Sequence, residues 1–305
     1  MKNIVYVLLI IILTGCATPK RSVRIEDRLW LENDYYKRLE NFIVEYRIDR
    51  VLTRYGHTQT LVAGENNEKT IIFLHPMGLN LTAWIPNINI LSEYYRIIAI
   101  DTIGDQGRSI VRRDYPENIQ EYSFWLNDII EHYGIKKISI IGCSMGGWIA
   151  HGYAIQYSEK IENLILISPA AGIPAKTTWG GLIFKMIFTN NEKKLQEVAR
   201  GILGSHQAQV DWIEYMGKAS KDYKSAKLGM PKNFTKDEIR RTGGKILLLI
   251  GEDDPIYKSI ENVFNSVQSI RSDILCKVIP NAGHLGGWDN PQFVNNEIKN
   301  FIGVE

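Results

Sequence analysis

A short glycine-rich sequence, G-C-S-M-G at residues 142–146, constrains the fold of this chain more than any other feature. It follows an apolar run at 138–141 that predicts a buried strand, and it precedes a stretch with helical periodicity at 148–157. A serine at the tip of such a strand-to-helix turn is raised above the sheet, and its flanking glycines are required because a Cβ would collide with neighbouring backbone. The pattern predicts Ser144 as a nucleophile and the Met145 amide as a donor to an oxyanion formed on it.

Short apolar runs alternate with helical patterns along most of the chain. The predicted strands are residues 58–63, 70–74, 96–100, 137–141, 164–167, 246–250 and 274–279. The predicted helices are residues 121–133, 146–156, 256–269 and 291–301. This alternation is typical of an α/β protein with a doubly wound, mainly parallel sheet, in which ligands bind beyond the carboxyl ends of the strands.

One segment interrupts this alternation. Residues 171–240 contain no convincing strand, but they carry apolar helical patterns at 179–188 and 195–203. Because a structureless loop of this length is improbable in a compact domain, the segment predicts a helical cap inserted into the sheet domain, where it can cover the site. The α/β core then comprises residues 51–170 and 241–305.

The N-terminus has the features of an export signal. Lys2 precedes a short apolar run at residues 4–13, which is too short to span a bilayer. The run ends in L-T-G-C, which resembles a bacterial lipobox. The resemblance implies a signal peptide at 1–15 and acyl chains on Cys16 that anchor an exported protein to a membrane, stably because more than one chain is attached. The alternative is a plain secretory signal whose cleavage point lies near a cysteine.

The segment that follows the predicted anchor, within residues 16–50, is charged and aromatic. Its apolar residues have roughly helical spacing: Leu29, Leu31, Tyr35, Leu39 and Phe42. We interpret it as a helical arm between the anchor and the domain. Which bacterial membrane holds the anchor is not specified by the sequence, although Ala17 after Cys16 resembles an outer-membrane sorting signal in a Gram-negative host.

The charge and the metal-binding residue types argue against several classes of partner. The chain carries 36 basic and 34 acidic side chains, a net charge of +2, without a basic block dense enough to follow a phosphate backbone. No nucleic-acid partner is therefore expected. The three cysteines lack CxxC spacing, and the six histidines lack a pattern such as HExxH. The sequence predicts no disulfide framework, no metal site and no cofactor.

A serine nucleophile requires a base and an acid that orients the base. G-E-D-D-P at 251–255 follows the predicted strand at 246–250, and A-G-H at 282–284 follows the strand that ends near 279. These motifs and the serine turn resemble those of the α/β hydrolases, in which the acid and then the histidine follow the nucleophile in the chain. The resemblance implies Asp254 as the acid and His284 as the base, with Asp253 or Glu252 as the alternative acid.

The loop after an early strand predicts a second oxyanion donor. F-L-H-P-M-G lies at residues 73–78, where members of the family usually have His-Gly. Pro76 replaces that glycine and removes one N–H, but the expected donor is the next residue, Met77, whose amide remains. We interpret His75 as a structural loop histidine.

A further match is the turn at 101–109, D-T-I-G-D-Q-G-R-S, which resembles the D-x-x-G-x-G-x-S signature of the family shifted by Asp105. We interpret it as a structural turn without a catalytic role. The resemblance covers nearly all of residues 70–301, and its motifs together look most like bacterial carboxylesterases. It implies a serine hydrolase that cleaves small-molecule esters through an acyl-enzyme on Ser144.

Alternatives to ester hydrolysis stay open at this point. The same triad serves thioesters, lactones, amides and carbon–carbon bonds, whereas haloalkane dehalogenases and epoxide hydrolases of this fold need a carboxylate in place of Ser144. A binding or sensory protein that has kept the fold is the alternative from another class, and an intact triad argues against it. An apolar acyl or alcohol group would suit Trp148, which follows the serine turn, and four residues of the predicted cap: Trp179, Phe184, Met186 and Phe188. The alternative is that the cap residues pack within the cap.

Overall fold

The computed structural model describes residues 25–112, 114–175, 191–204, 210–222 and 231–304. The predicted signal peptide at 1–15 and Cys16 lie outside these ranges. So does the predicted cap helix at 179–188, which contains Trp179, Phe184, Met186 and Phe188. The serine turn and the loops that carry the predicted acid and histidine are all within the described ranges.

Strands and helices alternate along the described chain. The strands are β1 (Tyr46–Thr53), β2 (Gly56–Ala63), β3 (Thr70–Leu74), β4 (Arg96–Ile100), β5 (Ile110–Val111), β6 (Ile138–Cys143), β7 (Ile161–Ile167), β8 (Lys245–Gly251) and β9 (Leu275–Ile279). The α-helices are α1 (Ile25–Leu39), α2 (Ile85–Leu91), α3 (Ile119–His132), α4 (Met145–Gln156), α5 (Glu192–Leu203), α6 (Val210–Asp222), α7 (Lys236–Arg241), α8 (Ile260–Gln268), α9 (Gly286–Asp289) and α10 (Pro291–Ile302). Short 3-10 helices lie at Leu81–Trp84 and Ser158–Lys160.

The strands form a sheet with the order β1-β2-β4-β3-β6-β7-β8-β9, in which the short β5 pairs with β2. From β4 to β9 all neighbouring pairs are parallel, whereas β1 pairs antiparallel with β2 and β2 with β4. β3, β6 and β7 are buried along nearly their whole length, which explains their continuous apolar runs. The predicted α/β fold with a mainly parallel sheet is confirmed.

Helices flank the sheet and connect its parallel strands. α4 packs against β3, β6 and β7, and α3 packs against α4 and β1. α2 packs against α10, and the Asn87 side-chain amide of α2 donates to the Asn295 side-chain oxygen of α10 at 2.8 Å. Because the parallel strands all point the same way, the loops after β3, β6, β8 and β9 meet at one edge of the sheet.

The first strand differs from the sequence prediction. A helical arm is predicted within residues 16–50, but helix α1 ends at Leu39 and strand β1 begins at Tyr46. β1 lies at the edge of the sheet, and alternate residues along its first half are exposed. Apolar and charged residues alternate only from Tyr46 to Asp49, because Arg50 follows with a second charge and ends the pattern by which a strand is recognised. The segment therefore contains a helix followed by the first strand of the sheet.

Helix α1 lies against the body of the protein. The buried Tyr35 hydroxyl donates to Asp101 Oδ2 at 2.9 Å and accepts a hydrogen bond from Gln59 Nε2 at 2.8 Å. Asp101 also accepts the amides of Leu81 and Arg108, both at 2.8 Å. Burial raises the pKa of Asp101 to about 6, although these donors favour its charged form. One carboxylate thus joins α1, the loop after β3 and the turn after β4.

Helices α5 and α6 lie in the segment 171–240 that the sequence assigns to a helical cap, and they pack against each other. α6 also contacts α1. The boundaries of the cap stay a prediction, because much of that segment lies outside the described residues. Among the helices of the described ranges, none is long and apolar enough to cross a membrane.

Candidate active site

Ser144 occupies the turn between β6 and α4, with φ 52° and ψ −117°. This left-handed backbone is unfavourable for a residue with a side chain, and it persists where the surroundings enforce it. Close packing of two glycines provides that enforcement. A Cβ on Gly146 would lie 2.2 Å from the Leu74 carbonyl oxygen, and one on Gly142 would lie 2.3 Å from the Gly146 carbonyl oxygen. A larger residue at 146 would force the turn away from β3, and one at 142 would force β6 away from α4.

His284 and Asp254 form a buried hydrogen-bonded pair. His284 Nδ1 lies 2.9 Å from Asp254 Oδ2, and the other carboxylate oxygen accepts the Ile256 amide at 2.9 Å. A carboxylate at Nδ1 holds the proton on that nitrogen and leaves Nε2 as an acceptor. Nε2 is buried, and it has no hydrogen-bond partner among the described residues. The ring is therefore arranged to take a proton at Nε2.

The acidic loop after β8 contains three neighbouring carboxylates, and the one bonded to the histidine ring belongs to Asp254. Glu252 accepts the Asn281 amide at 3.0 Å. The Asp253 amide donates to the Ala282 carbonyl oxygen at 2.9 Å. These bonds join the acidic loop to the loop after β9, so the backbone around the acid and the backbone before the histidine are held together.

The serine turn and the histidine loop are in direct contact. Sγ of Cys143, the residue before Ser144, lies 3.6 Å from the His284 carbonyl oxygen. The Ser144 amide donates to the Ile167 carbonyl oxygen at 3.0 Å, which fixes the turn on β7. Burial raises the pKa of the Cys143 thiol, so this thiol stays protonated at neutral pH and packs as a small apolar group. The predicted nucleophile and base are thereby brought to the same edge of the sheet.

The loop after β3 carries the predicted oxyanion donor Met77. Within the part of the chain that the structure describes, its amide has no hydrogen-bond partner. The other predicted donor, Met145, is the first residue of α4, where backbone N–H groups have no partner within the helix. β3 and β6 are adjacent parallel strands, so these two amides lie at neighbouring strand ends.

Asp105 holds this loop in place through hydrogen bonds, a role that the sequence analysis did not predict. Its two carboxylate oxygens accept the amide of Gly78, the residue after Met77, at 3.0 and 3.2 Å. The signal that could have found it is the extra residue in the turn at 101–109. A carboxylate inserted into a tight turn near the ends of two strands reaches the neighbouring loop.

His75 is a structural residue of the same loop, which agrees with its interpretation from the sequence. Its Nε2 accepts the Thr102 amide at 2.9 Å, and its Nδ1 donates to the Pro76 carbonyl oxygen at 2.8 Å. These bonds join the loop after β3 to the turn after β4. Burial lowers the pKa of His75 to about 4, so the ring is neutral at pH 7.

A small apolar pocket of about 10 Å³, room for about one water molecule, lies where these loops meet. Its lining residues are Pro76, Ala83, Trp84, Cys143, Leu285, Gly287 and Trp288. Pro76 and Cys143 directly precede Met77 and Ser144, and Leu285 directly follows His284, so the pocket adjoins the predicted site. Hydrophobic periodicity could not identify Trp288 from the sequence, because its helix, α9, has a single turn.

Trp148, which the sequence offers as a substrate contact, packs elsewhere. Its ring lies edge to face with Tyr122, with 6.0 Å between ring centroids, and its Nε1 donates to the Lys232 carbonyl oxygen at 3.0 Å. It is not among the described residues that line the pocket. In the described ranges, no three His, Cys, Asp or Glu side chains come together to hold a metal ion.

Comparison with known proteins supports this architecture. The profile of the α/β hydrolase fold family matches residues 69–211. "Uncharacterized carboxylesterase nap" of Bacillus subtilis strain 168 is 29% identical over 273 residues, which cover 84% of this chain and 86% of the relative. Carboxylesterase YbfK of the same organism is 24% identical over 91% of this chain and 95% of its own length.

A solved structure extends the similarity to the whole molecule. The crystal structure of naproxen esterase (carboxylesterase NP) from Bacillus subtilis superposes with a TM-score of 0.81 at 25% identity. The superposition covers 92% of this chain and 100% of that chain. The shared fold is the α/β-hydrolase fold, and relatives of this kind over most of the chain make the protein a hydrolase enzyme.

We expect the free energy of unfolding of His75→Gln to fall less than that of the wild type when the pH decreases. The unfolded chain protonates this histidine near pH 6.5, whereas the folded protein resists protonation until about pH 4, so stability falls as the pH decreases between these values. Between about pH 7 and pH 5, His75 lowers the free energy of unfolding by about 2 kcal/mol. Glutamine retains an acceptor for the Thr102 amide. Urea unfolding of both proteins at the two pH values measures the difference, and an equal loss in both would contradict it.

Proposed function

We propose that this hydrolase of the α/β-hydrolase fold cleaves carboxylic esters of small molecules through an acyl-enzyme on Ser144. The observation that carries the proposal is the His284–Asp254 pair, which holds a free Nε2 in the loop that contacts the serine turn. Relatives named as carboxylesterases, which match most of the chain, support an ester as the substrate.

In the first half of the proposed reaction, the Ser144 hydroxyl oxygen attacks the ester carbonyl carbon while His284 Nε2 takes the hydroxyl proton. Asp254 keeps the ring in the required tautomer and stabilises the imidazolium charge. The tetrahedral intermediate then collapses, the imidazolium returns its proton to the leaving alcohol, and the acyl group stays on Ser144.

In the second half, a water molecule attacks the acyl-enzyme and His284 takes its proton. Collapse of the second tetrahedral intermediate breaks the bond to Ser144, which regains its proton from the imidazolium. The carboxylic acid leaves, and the enzyme returns to its starting state. The same ring thus acts as base and acid in each half of the reaction.

The amides of Met77 and Met145 are the proposed donors to the negatively charged oxygen of both intermediates. Loss of one such donor typically costs about 3 kcal/mol of transition-state stabilisation. Donors that are already positioned need no reorganisation when the charge develops. The hydrogen bonds from Gly78 to Asp105 support this role, because they fix the peptide group next to the Met77 amide.

The apolar lining of the pocket beside the site supports an apolar acyl group on the substrate. The pocket holds about 10 Å³ in this structure, so a side chain of its wall must move to admit such a group. Its lining side chains are uncharged, and two tryptophans, Trp84 and Trp288, supply much of its wall. Gly287 permits close packing there, since a Cβ on it would lie 3.1 Å from the Trp84 ring. A charged acyl group would lose its hydration in such a pocket without gaining a partner from the described wall.

Two alternatives make different predictions. The same triad can act on a thioester, lactone, amide or carbon–carbon bond, in which case Ser144 is reactive but simple esters are poor substrates. A binding or sensory protein of this fold would leave Ser144 unreactive. The ester is favoured because the relatives that cover most of the chain are named carboxylesterases.

We expect a soluble protein starting near residue 21 to hydrolyse p-nitrophenyl esters, and we expect Ser144→Ala to abolish the turnover, since no other group forms the acyl-enzyme. The measurement is kcat/KM for esters from acetate to palmitate. Ser269→Ala is the matched control, because this serine is exposed at the end of α8. Equal turnover by wild type and Ser144→Ala would contradict the assignment of the nucleophile. Absence of turnover in both would contradict the ester as substrate.

We further propose that the protein is exported and held at a bacterial membrane by acyl chains on Cys16. The support is the sequence, in which Lys2 and an apolar run at 4–13 precede the L-T-G-C motif. Eight residues of sequence separate Cys16 from Ile25, where α1 begins. The enzyme would therefore act close to the membrane surface.

Labelling with palmitate in a bacterial host tests this anchor. We expect the wild-type protein to incorporate the label and to sediment with membranes, and Cys16→Ser to do neither, because the acyl chains have lost their attachment point. Cys276→Ser is the matched control, since this cysteine lies in β9 and should not affect lipidation. Equal labelling of the wild type and Cys16→Ser would exclude attachment at Cys16.

A further inference from the structure

Helix α1 holds helix α6 through aromatic and charged contacts. The guanidinium carbon of Arg38 lies 4.0 Å from the centre of the Trp212 ring. The Trp30 and Tyr215 rings are 6.4 Å apart between centroids, and Lys218 Nζ lies 4.9 Å over the Trp30 ring. Each helix thus contributes a cation to an aromatic ring of the other, which fixes their relative positions.

The same face of α6 is also attached to loops of the proposed site. The Tyr215 hydroxyl donates to the Gln106 carbonyl oxygen at 3.0 Å and accepts the Asn80 side-chain amide at 2.9 Å. Met216 lies against Gly78, where an added Cβ would be 3.4 Å from the Met216 methyl carbon. α6 is therefore held between α1 and the loop that carries the proposed oxyanion donor.

Trp212 extends this contact to the pocket. Its ring is fully buried and stands edge to face with Trp288, at 5.5 Å between centroids and an interplanar angle of 81°. Trp288 follows His284 closely in the sequence and lines the apolar pocket. Three side chains in contact, Arg38, Trp212 and Trp288, therefore lead from α1 to the pocket wall.

Within the described chain, Arg38 is one of three side chains that hold the Trp212 ring, together with Trp288 and Tyr215, which stands edge to face with it at 5.4 Å between centroids. The indole Nε1 has no hydrogen-bond partner in the ranges that the structure describes, so no hydrogen bond from there holds the ring. Arg38 is itself held, because its Nε donates to Asp34 Oδ2 at 2.6 Å and its side chain is 11% exposed. A planar guanidinium fixed by a carboxylate can stack on an aromatic face, which a lysine does less well.

We propose that α1 is part of the substrate site: Arg38, acting through Trp212, fixes the position of Trp288 and so sets the size of the acyl group that the pocket accepts. The inference rests on the proposed ester hydrolysis. Arg38 touches no reacting atom and is therefore a positioning residue. Its loss alters which acyl groups bind well. The Tyr215 bonds to Gln106 and Asn80 do not involve Arg38, so they still hold α6 against the loop of the proposed oxyanion donor, and the chemistry at Ser144 is unchanged.

The test compares wild type and Arg38→Met on p-nitrophenyl esters from acetate to decanoate. Methionine keeps an apolar chain of similar reach and removes both the charge and the bond to Asp34. We expect kcat on acetate to stay within about twofold, because Arg38 contacts neither Ser144 nor the His284–Asp254 pair. We expect the ratio of kcat/KM for decanoate to that for acetate to rise about tenfold, because Trp288 is free to move outward.

Arg54→Met is the matched control. Arg54 also combines an ion pair with a ring contact: its guanidinium binds Asp128 at 2.9 and 2.8 Å and lies 5.0 Å over the Phe124 ring. These partners belong to α3, and none of them lines the pocket. The ester profile of this variant should equal that of the wild type. Arg38→Lys should shift the ester profile in the same direction as Arg38→Met. If the methionine variant does not fold, the lysine variant replaces it in the test.

A double-mutant cycle with Trp288→Phe tests the route of the effect. If Arg38 acts through the pocket wall, the double variant has the ester profile of Trp288→Phe alone. An unchanged ratio in the Arg38 variants, an equal shift in Arg54→Met, or additive shifts in the double variant would overturn the inference while wild-type esterase activity stands. A wild type that hydrolyses no ester would instead overturn the proposed function, and the inference with it.

Discussion

The turn that carries Ser144 is the constraint on which the rest of this structure depends. Its left-handed backbone, at φ 52°, is held because Gly142 and Gly146 let β3, β6 and α4 approach more closely than any Cβ would permit. That approach places the Met145 amide beside the end of β3. The parallel sheet then brings the acid and histidine loops to the same edge, where the strained turn presents Ser144.

Buried polar contacts keep this edge in place. The loop after β3 and the turn after β4 are joined through His75, Asp101 and Asp105, whose side chains accept four hydrogen bonds from the backbone N–H groups of Thr102, Leu81 and Gly78. Each satisfies a backbone N–H whose burial without a partner would cost about 1–3 kcal/mol. None of these side chains reacts in the proposed mechanism. Together they position the peptide groups around Met77 before substrate binds. Electrostatic catalysis is effective because such donors need no reorganisation when the negative charge develops.

The sequence predicted the features whose causes are local. Apolar runs predicted the buried strands, and the glycines around Ser144 predicted a turn between a strand and a helix. Features that depend on spatial neighbours were not predicted. β1 was missed because its alternation of apolar and charged residues is short and ends at Arg50. The roles of Asp105 and Trp288 become visible when Gly78 and Trp212 lie beside them. The cap boundaries and the lipid anchor stay predictions.

Reaction with a fluorophosphonate, followed by intact mass and peptide mapping, tests the central claim that the His284–Asp254 pair activates Ser144. The account predicts one adduct, on Ser144, that is absent in Ser144→Ala. It also predicts that His284→Gln slows the reaction by at least about a hundredfold, because the serine then lacks its base. A wild-type protein that forms no adduct, or a His284→Gln variant that reacts as fast as the wild type, would contradict it.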